Sequence, residues 1–348
     1  MIDWITAKLP FTHKSAISDG MVVHLDDDGN NKFYKLKRKE LRGSFETGIH
    51  CWTELGEENP DGTYPFLWVS GNPVKLFQGH NVWGSNDLHG LLFETFRFLA
   101  ESLVSFGAQP TDLDLQSVKR GAVHLTRVDL TESFLLPSLS DCKAWIRAAE
   151  FTTRMKHRGR GQMTSGTLYF GKNSERWATK IYAKGQEVRE HLTKQPGIFG
   201  LRHALDYADQ CLRIEHVLRG KELNRRGLDL AGNWDDTTGE VLHLELLSKL
   251  EFSEAVTISP TVLDDLPGSL RGAYALWQEG HDLRKVYSRP TFYRYRSQLL
   301  AHGIDISIQQ QGRPDNVVPL VRVLEAVPAS IPEWAHGTSL YFEPRRFA

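Results

Sequence analysis

Tyr182 stands between two lysines in Lys180-Ile-Tyr-Ala-Lys184, shortly after the run Ser165-Gly-Thr-Leu-Tyr-Phe-Gly-Lys-Asn-Ser174. In an extended strand alternate side chains share a face. Lys180, Tyr182 and Lys184 then project together, and Ile181 and Ala183 turn into the core. A phenol between two ammonium groups has its ionised form favoured, and the same charge draws in a phosphate backbone. A tyrosine so placed is a candidate nucleophile toward a phosphodiester. The same spacing also describes a half-buried tyrosine on an ordinary amphipathic strand.

Two further segments share one grammar: Thr126-Arg-Val-Asp-Leu-Thr131 and Leu212-Arg-Ile-Glu-His-Val-Leu-Arg219. Arg127 and Asp129 fall on one strand face, as do Arg213 and Glu215. If the two strands are neighbours in a sheet, the carboxylates converge and could hold a hard divalent cation, Mg2+ or Mn2+. Otherwise they are two exposed Arg–carboxylate pairs that contribute little.

These residues need a folded frame, and 348 residues provide enough chain for two domains or more. The 42 basic and 43 acidic residues give a net charge of −1, so bulk charge announces no nucleic acid. Local charge says more. Arg154, Lys156, Arg158 and Arg160 form an acid-free stretch, as do Arg284, Lys285, Arg289, Arg294 and Arg296, while acids gather at Asp26–Asp28 and between Glu54 and Asp61. Such segregation fits one DNA-facing side. Cys51, Cys142 and Cys211 form neither a disulfide framework nor a zinc motif, so a reducing compartment is the default. The first residues are too few and too polar for a signal peptide, and no apolar run reaches membrane-spanning length. These features predict a cytoplasmic protein with no membrane partner.

Alternation predicts a strand over residues 2–9, stopped at Pro10, and another over Tyr64–Ser70. Leu88, Leu91, Leu92, Phe96, Leu99 and Leu103 mark a buried helical stripe between Asp87 and Phe106, with Asn86 as its cap and Gly107 as its stop. Val123–Thr131 and Cys211–Arg219 read as strands, Ser140–Phe151 as a helix, and Thr167–Phe170 with Trp177–Ala183 as a hairpin. Charged helices over Gln186–Lys194 and Leu201–Gln210 follow. Strands separated by helices predict an α+β layer for residues 1–235. From 236 to 348 the pattern turns helical, with a short helix capped at Ser259-Pro260. Helices over Ser269–Glu279, Leu283–Tyr287 and Phe292–His302 have the layout of a helix-turn-helix. Arg289, Tyr293, Arg294 and Arg296 then lie where a recognition helix meets DNA; a solvated arginine-rich helix is the alternative.

Together these residues resemble the gene II-type replication initiators of filamentous phages. The resemblance rests on Met1-Ile-Asp-Trp…Leu9-Pro10-Phe11, on Lys75-Leu-Phe-Gln-Gly-His-Asn-Val-Trp-Gly84, and on the segments 126–131 and 181–184. It extends to Asp315-Asn-Val-Val-Pro-Leu-Val-Arg322 and Pro332-Glu-Trp334. The Tyr-Phe-Gly…Tyr-x-Lys layout is also similar to plasmid rolling-circle initiators. The resemblance implies an antiparallel, ferredoxin-like sheet of the rolling-circle (HUH-type) endonuclease class, followed by a smaller helical domain. It implies a metal-dependent nickase and ligase with a tyrosyl–DNA intermediate, acting on phage origin DNA beside a host helicase and polymerase. By position, Tyr182 is the nucleophile and Lys184 its companion; Lys180, Arg127, Arg213 and Arg158 would join the basic helix in contacting DNA. The His-hydrophobic-His metal triplet usual on that fold is missing. Asp129 and Glu215 are therefore the candidate ligands, with His80 as a third ligand, a DNA contact or a turn residue; His216 faces away into packing. The competing readings are a helix-turn-helix repressor without catalysis, and a relaxase or transposase with the same chemistry.

Overall fold

The apolar/polar alternation of the first residues builds β1 (Ile2–His13), the strand around which the sheet is laid. It runs on through Pro10, past the stop that proline predicts. Its neighbour on one side ends opposite Lys8, so the absent N–H of Pro10 faces no strand on that side, while Pro10 stays in register with Phe66 on the other.

The structure, a computed structural model, describes residues 1–252, 266–278, 281–302, 304–307 and 328–344. Its other strands are β2 (Met21–Leu25), β3 (Asn31–Leu36), β4 (Lys39–Arg42), β5 (Gly48–Trp52), β6 (Tyr64–Gly71), β7 (His124–Leu135), β8 (Thr153–Met155), β9 (Gly159–Arg160), β10 (Gln162–Thr164), β11 (Thr167–Phe170), β12 (Trp177–Ala183), β13 (Cys211–Arg219) and β14 (Leu250–Phe252). Nine of these form one sheet in the order β10-β11-β12-β13-β7-β1-β6-β5-β4, antiparallel throughout. The α+β class with an antiparallel sheet is thus present, in a wider layer than a four-stranded ferredoxin-like one.

Helices cover one face: α1 (Pro73–Gln78), α2 (Leu88–Ser102), α3 (Asp112–Lys119), α4 (Leu139–Thr152), α5 (Lys184–Glu190), α6 (Arg202–Gln210), α7 (Gly220–Arg226) and α8 (Thr238–Leu247). The stripe predicted over 87–106 is α2, capped by the Asp87 side chain on the Gly90 amide rather than by Asn86. Leu91, Phe96 and Leu99 from it meet Ile5, Leu9, Val128, Ile181 and Ile214 from the sheet in one core. Leu242, Leu246 and Leu250 join the same core, so its packing runs past residue 235.

A second cluster, with Leu270, Trp277, Leu283, Phe292 and Leu299, is built by α9 (Gly268–Gln278), α10 (Leu283–Val286) and α11 (Arg289–Leu300). These are the three helices predicted from the sequence. Residues 328–344 return to the first body: Phe342 stacks on Phe77, and the Leu340 carbonyl accepts from the Trp83 indole at 2.8 Å. The helix capped at Ser259-Pro260 and the segment 315–322 lie outside the described residues. Among the described residues no helix is long and apolar enough to cross a membrane.

Candidate active site

The sheet face turned away from the helices is polar along its middle. Register explains the convergence: Tyr182 lies opposite Arg213, Lys180 opposite Glu215, and Glu215 opposite Thr131, two residues from Asp129. Because side chains alternate with period two, all of these share a face. Tyr169 of β11 joins them opposite Lys180, and Trp4 of β1 opposite Asp129. Asp3, Asn81, Arg127, Gln186 and Glu187 complete the lining of an open cavity of about 480 Å³.

Inside it the groups are paired. The Arg127 guanidinium grips Asp129 with both forks, Nε to Oδ1 at 2.8 Å and Nη2 to Oδ2 at 2.6 Å. Lys180 donates to Glu215 Oε1, and the Tyr182 hydroxyl donates to Glu215 Oε2 at 3.3 Å. Burial, opposed by Arg127 and reinforced by the charge of Glu215, pushes the Asp129 carboxyl up to about 7. Glu215 is equally buried, yet the Lys180 ammonium holds it below the usual carboxylate range.

The structure corrects the predicted activation of Tyr182 by two ammonium groups. Burial and then the Glu215 charge push its phenol well above the usual value. Lys180 is committed to Glu215, and Lys184 never reaches the cavity. Lys184 is fully buried at the start of α5, where Nζ donates to Asn81 Oδ1 at 2.7 Å and Glu187 Oε2 at 2.6 Å. It positions Asn81, whose amide in turn donates to Asp3 Oδ1 at 2.8 Å.

His80 is corrected likewise. It has no exposed surface; Nε2 donates to the Leu340 carbonyl at 2.9 Å, and Nδ1 accepts from the Val82 amide at 3.3 Å. Burial holds its imidazole down to about 3. Both ring nitrogens are spent on the fold, so His80 is neither a ligand nor a DNA contact. The loop it belongs to is possible because Gly79 takes φ 75° directly against Gly197, where a Cβ would come 2.7 Å from the Gly197 nitrogen. His216 faces the core beside His243 with ring centres 4.6 Å apart, as its parity requires.

Three of the predicted DNA contacts also have other work. Arg213 is 1% exposed and donates to Ser133 Oγ at 3.1 Å and to the carbonyls of Asn81 and Val82, locking the 79–84 loop to β13. Arg158 folds over the Trp177 ring at 4.0 Å and donates to the Trp177 carbonyl. Arg296 forks onto buried Asp305, Nε to Oδ1 at 2.9 Å. Arg289, Tyr293 and Arg294 do stand exposed at the start of α11.

Asp3, Trp4 and Asn81 escape a reading based on charge and alternation. Their signal is that they sit in the quoted N-terminal and Gln-Gly-His-Asn-Val stretches. Among the described residues no three histidine, cysteine or carboxylate side chains gather as a metal-ligand set. Asp129 and Glu215 remain as a pair of carboxylates. Mg2+ characteristically takes one or two carboxylates and completes its shell with water and phosphate. The strain of ionising Asp129 beside Glu215 is what such an ion would relieve, so the pair fits one.

Comparison with known proteins agrees with this frame. Residues 1–237 match the family described as the N-terminal part of the phage gene II-type replication-associated protein, and residues 265–341 match the family of its C-terminal part. The chain is 37% identical over 336 residues to the replication-associated protein of Enterobacteria phage I2-2, covering 95% of each chain. It is 24% identical to the replication-associated protein of Enterobacteria phage fd, covering 80% of this chain and 78% of the relative. The match to the protein of Enterobacteria phage M13 has the same identity and coverage. One family thus accounts for the sheet that carries the cavity and for the helices that follow it, and the chain belongs to the gene II-type replication-associated proteins of phages.

Proposed function

We propose that this protein starts rolling-circle replication by nicking one strand of the phage origin through Tyr182 and rejoining it after synthesis. One observation carries the reading: the Tyr182 hydroxyl, two carboxylates and two cations line the same open cavity on the sheet face. The sheet is then the core of a rolling-circle endonuclease.

The raised phenol needs a base, and Glu215 Oε2 at 3.3 Å is placed to take its proton. The phenolic oxygen attacks phosphorus, the P–O3′ bond breaks, and the 3′-oxygen leaves as a hydroxyl with a proton from water. The 5′-phosphate stays on Tyr182. Lys180 and Arg127 meet the charge that spreads over the phosphoryl oxygens. Asp129 and Glu215 would hold a divalent cation, which supplies Lewis-acid polarisation of the phosphate when bound. Lys184 and Asn81 act from behind by fixing Asp3 and the cavity wall. Origin recognition falls to the exposed Arg289, Tyr293 and Arg294 of α11. The freed 3′-hydroxyl primes a host polymerase, and a host helicase unwinds, since the sequence has no Gly-x-x-x-x-Gly-Lys-Ser/Thr loop.

Supercoiled origin DNA with Mg2+ is the direct test. Tyr182→Phe is expected to abolish relaxation while leaving origin binding near wild type. A variant that still relaxes the DNA at the normal rate removes Tyr182 from the chemistry.

A further inference from the structure

The polar face does not end at the cavity. Along β1, Trp4, Thr6 and Lys8 are half-buried while Ile5, Ala7 and Leu9 are fully buried, so the first three share the cavity's face. Trp4 lines the cavity, with the Arg127 guanidinium 5.2 Å from its ring centre. Farther out, Lys8 lies opposite Trp68 on β6, and Trp68 opposite Trp52 on β5. The two indoles stack with centres 5.7 Å apart and planes within 5°. Arg38 lies 4.2 Å from the Trp52 ring centre, and Lys8 Nζ lies 4.9 Å from that of Phe66, which is 39% exposed.

A cross-strand tryptophan pair stabilises a sheet on its own. That role does not call for an exposed phenylalanine beside it, nor for cations set over the rings. Aromatic faces interleaved with cations are what an unpaired nucleic-acid strand needs: rings for its bases, charge for its backbone. In a duplex the bases already stack on one another and cannot use such a shelf.

We propose that the shelf of Lys8, Arg38, Trp52, Phe66 and Trp68 binds the single strand that leads away from the scissile phosphate. The inference rests on the nicking reading, which supplies a strand to the cavity, and on the continuity of the face through Trp4 and Arg127. Its present occupants are acidic. Glu57 accepts from Lys8 Nζ at 2.6 Å, and Glu54 accepts from the Trp68 indole at 2.8 Å. Both carboxylates come from the exposed stretch between β5 and β6, and they hold positions that phosphate oxygens would take. That stretch therefore competes with the strand.

The test measures binding of a fluorescent oligothymidylate of about twelve nucleotides, within the usual span of such sites. It is run on the Tyr182→Phe background so that cleavage plays no part. Trp52→Ala with Phe66→Ala is expected to weaken binding roughly 10-fold or more, as loss of base stacking does. Arg38→Gln, on the surface and free of folding effects, weakens it about threefold and lowers its salt dependence. Glu54→Gln with Glu57→Gln tightens it. Unchanged affinity in Arg38→Gln and in the folded double aromatic variant overturns the proposal, as does equal binding of a duplex of the same length. Failure of the nicking reading shows elsewhere, in cleavage that survives Tyr182→Phe, and leaves these affinities interpretable.

Discussion

Replacing Arg213 separates a structural arginine from a DNA-binding one. Arg213→Met keeps most of the apolar stem and deletes the guanidinium. The wild-type group is 1% exposed and serves Ser133 Oγ and the carbonyls of Asn81 and Val82. Bonds from a charged donor are each worth about 1.5–3 kcal/mol net, and a buried acceptor left bare costs on the order of 1–3 kcal/mol. The loop can take up some water, so the losses do not simply add. Breaking a buried charged network by removing one member costs roughly 3–5 kcal/mol, and that is the expected fall in unfolding free energy. Against a typical total of about 5–15 kcal/mol the loss is large. With a urea m-value near ~3 kcal/mol/M the midpoint drops by about 1 M or more. Arg213→Lys recovers part of it, because a point donor cannot span two carbonyls and a hydroxyl. Urea denaturation followed by circular dichroism reads the result. Stability within ~0.5 kcal/mol of wild type, together with a DNA-binding salt slope reduced by about one, would refute the reasoning, since a phosphate contact behaves that way.

Three other outcomes follow from the same geometry. In metal-free buffer, Asp129 binds its proton more tightly folded than unfolded, so its share of stability is full below the ordinary carboxylate pKa and is lost as pH rises toward about 7. Asp129→Asn should remove that part of the decline in unfolding midpoint between about pH 4 and pH 8; a decline of unchanged slope counts against the assignment. Tyr293→Ala with Arg294→Ala, both exposed on α11, should weaken duplex-origin binding and reduce its salt dependence by about one. It should spare cleavage of a single-stranded oligonucleotide. Arg296→Ala should instead lower stability by about 1–3 kcal/mol in the same urea titration, because buried Asp305 loses its forked partner.

Strand alternation is a local property, and spacing suffices to put Lys180, Tyr182, Asp129, Glu215, Arg127 and Arg213 on the correct faces. The helical stripe of α2 and the three helices 268–300 are legible for the same reason: periodicity needs no knowledge of partners. Pairing does need it. Whether Arg213 points to solvent or into a carbonyl cage depends on a loop some 130 residues away in the chain, which spacing cannot report. His80 and Lys184 look available because their types are reactive. Burial and hydrogen bonds with Leu340 and Asn81 take both out of reach. Asp3 and Asn81 reach the cavity wall only because β1 lies beside β7 and the 79–84 loop is clamped from three sides. The sequence alone thus determined which side chains share a strand face, since that follows from backbone geometry. The tertiary structure decided which of them keep a free end in the cavity, because desolvation and competing partners are set by residues distant along the chain.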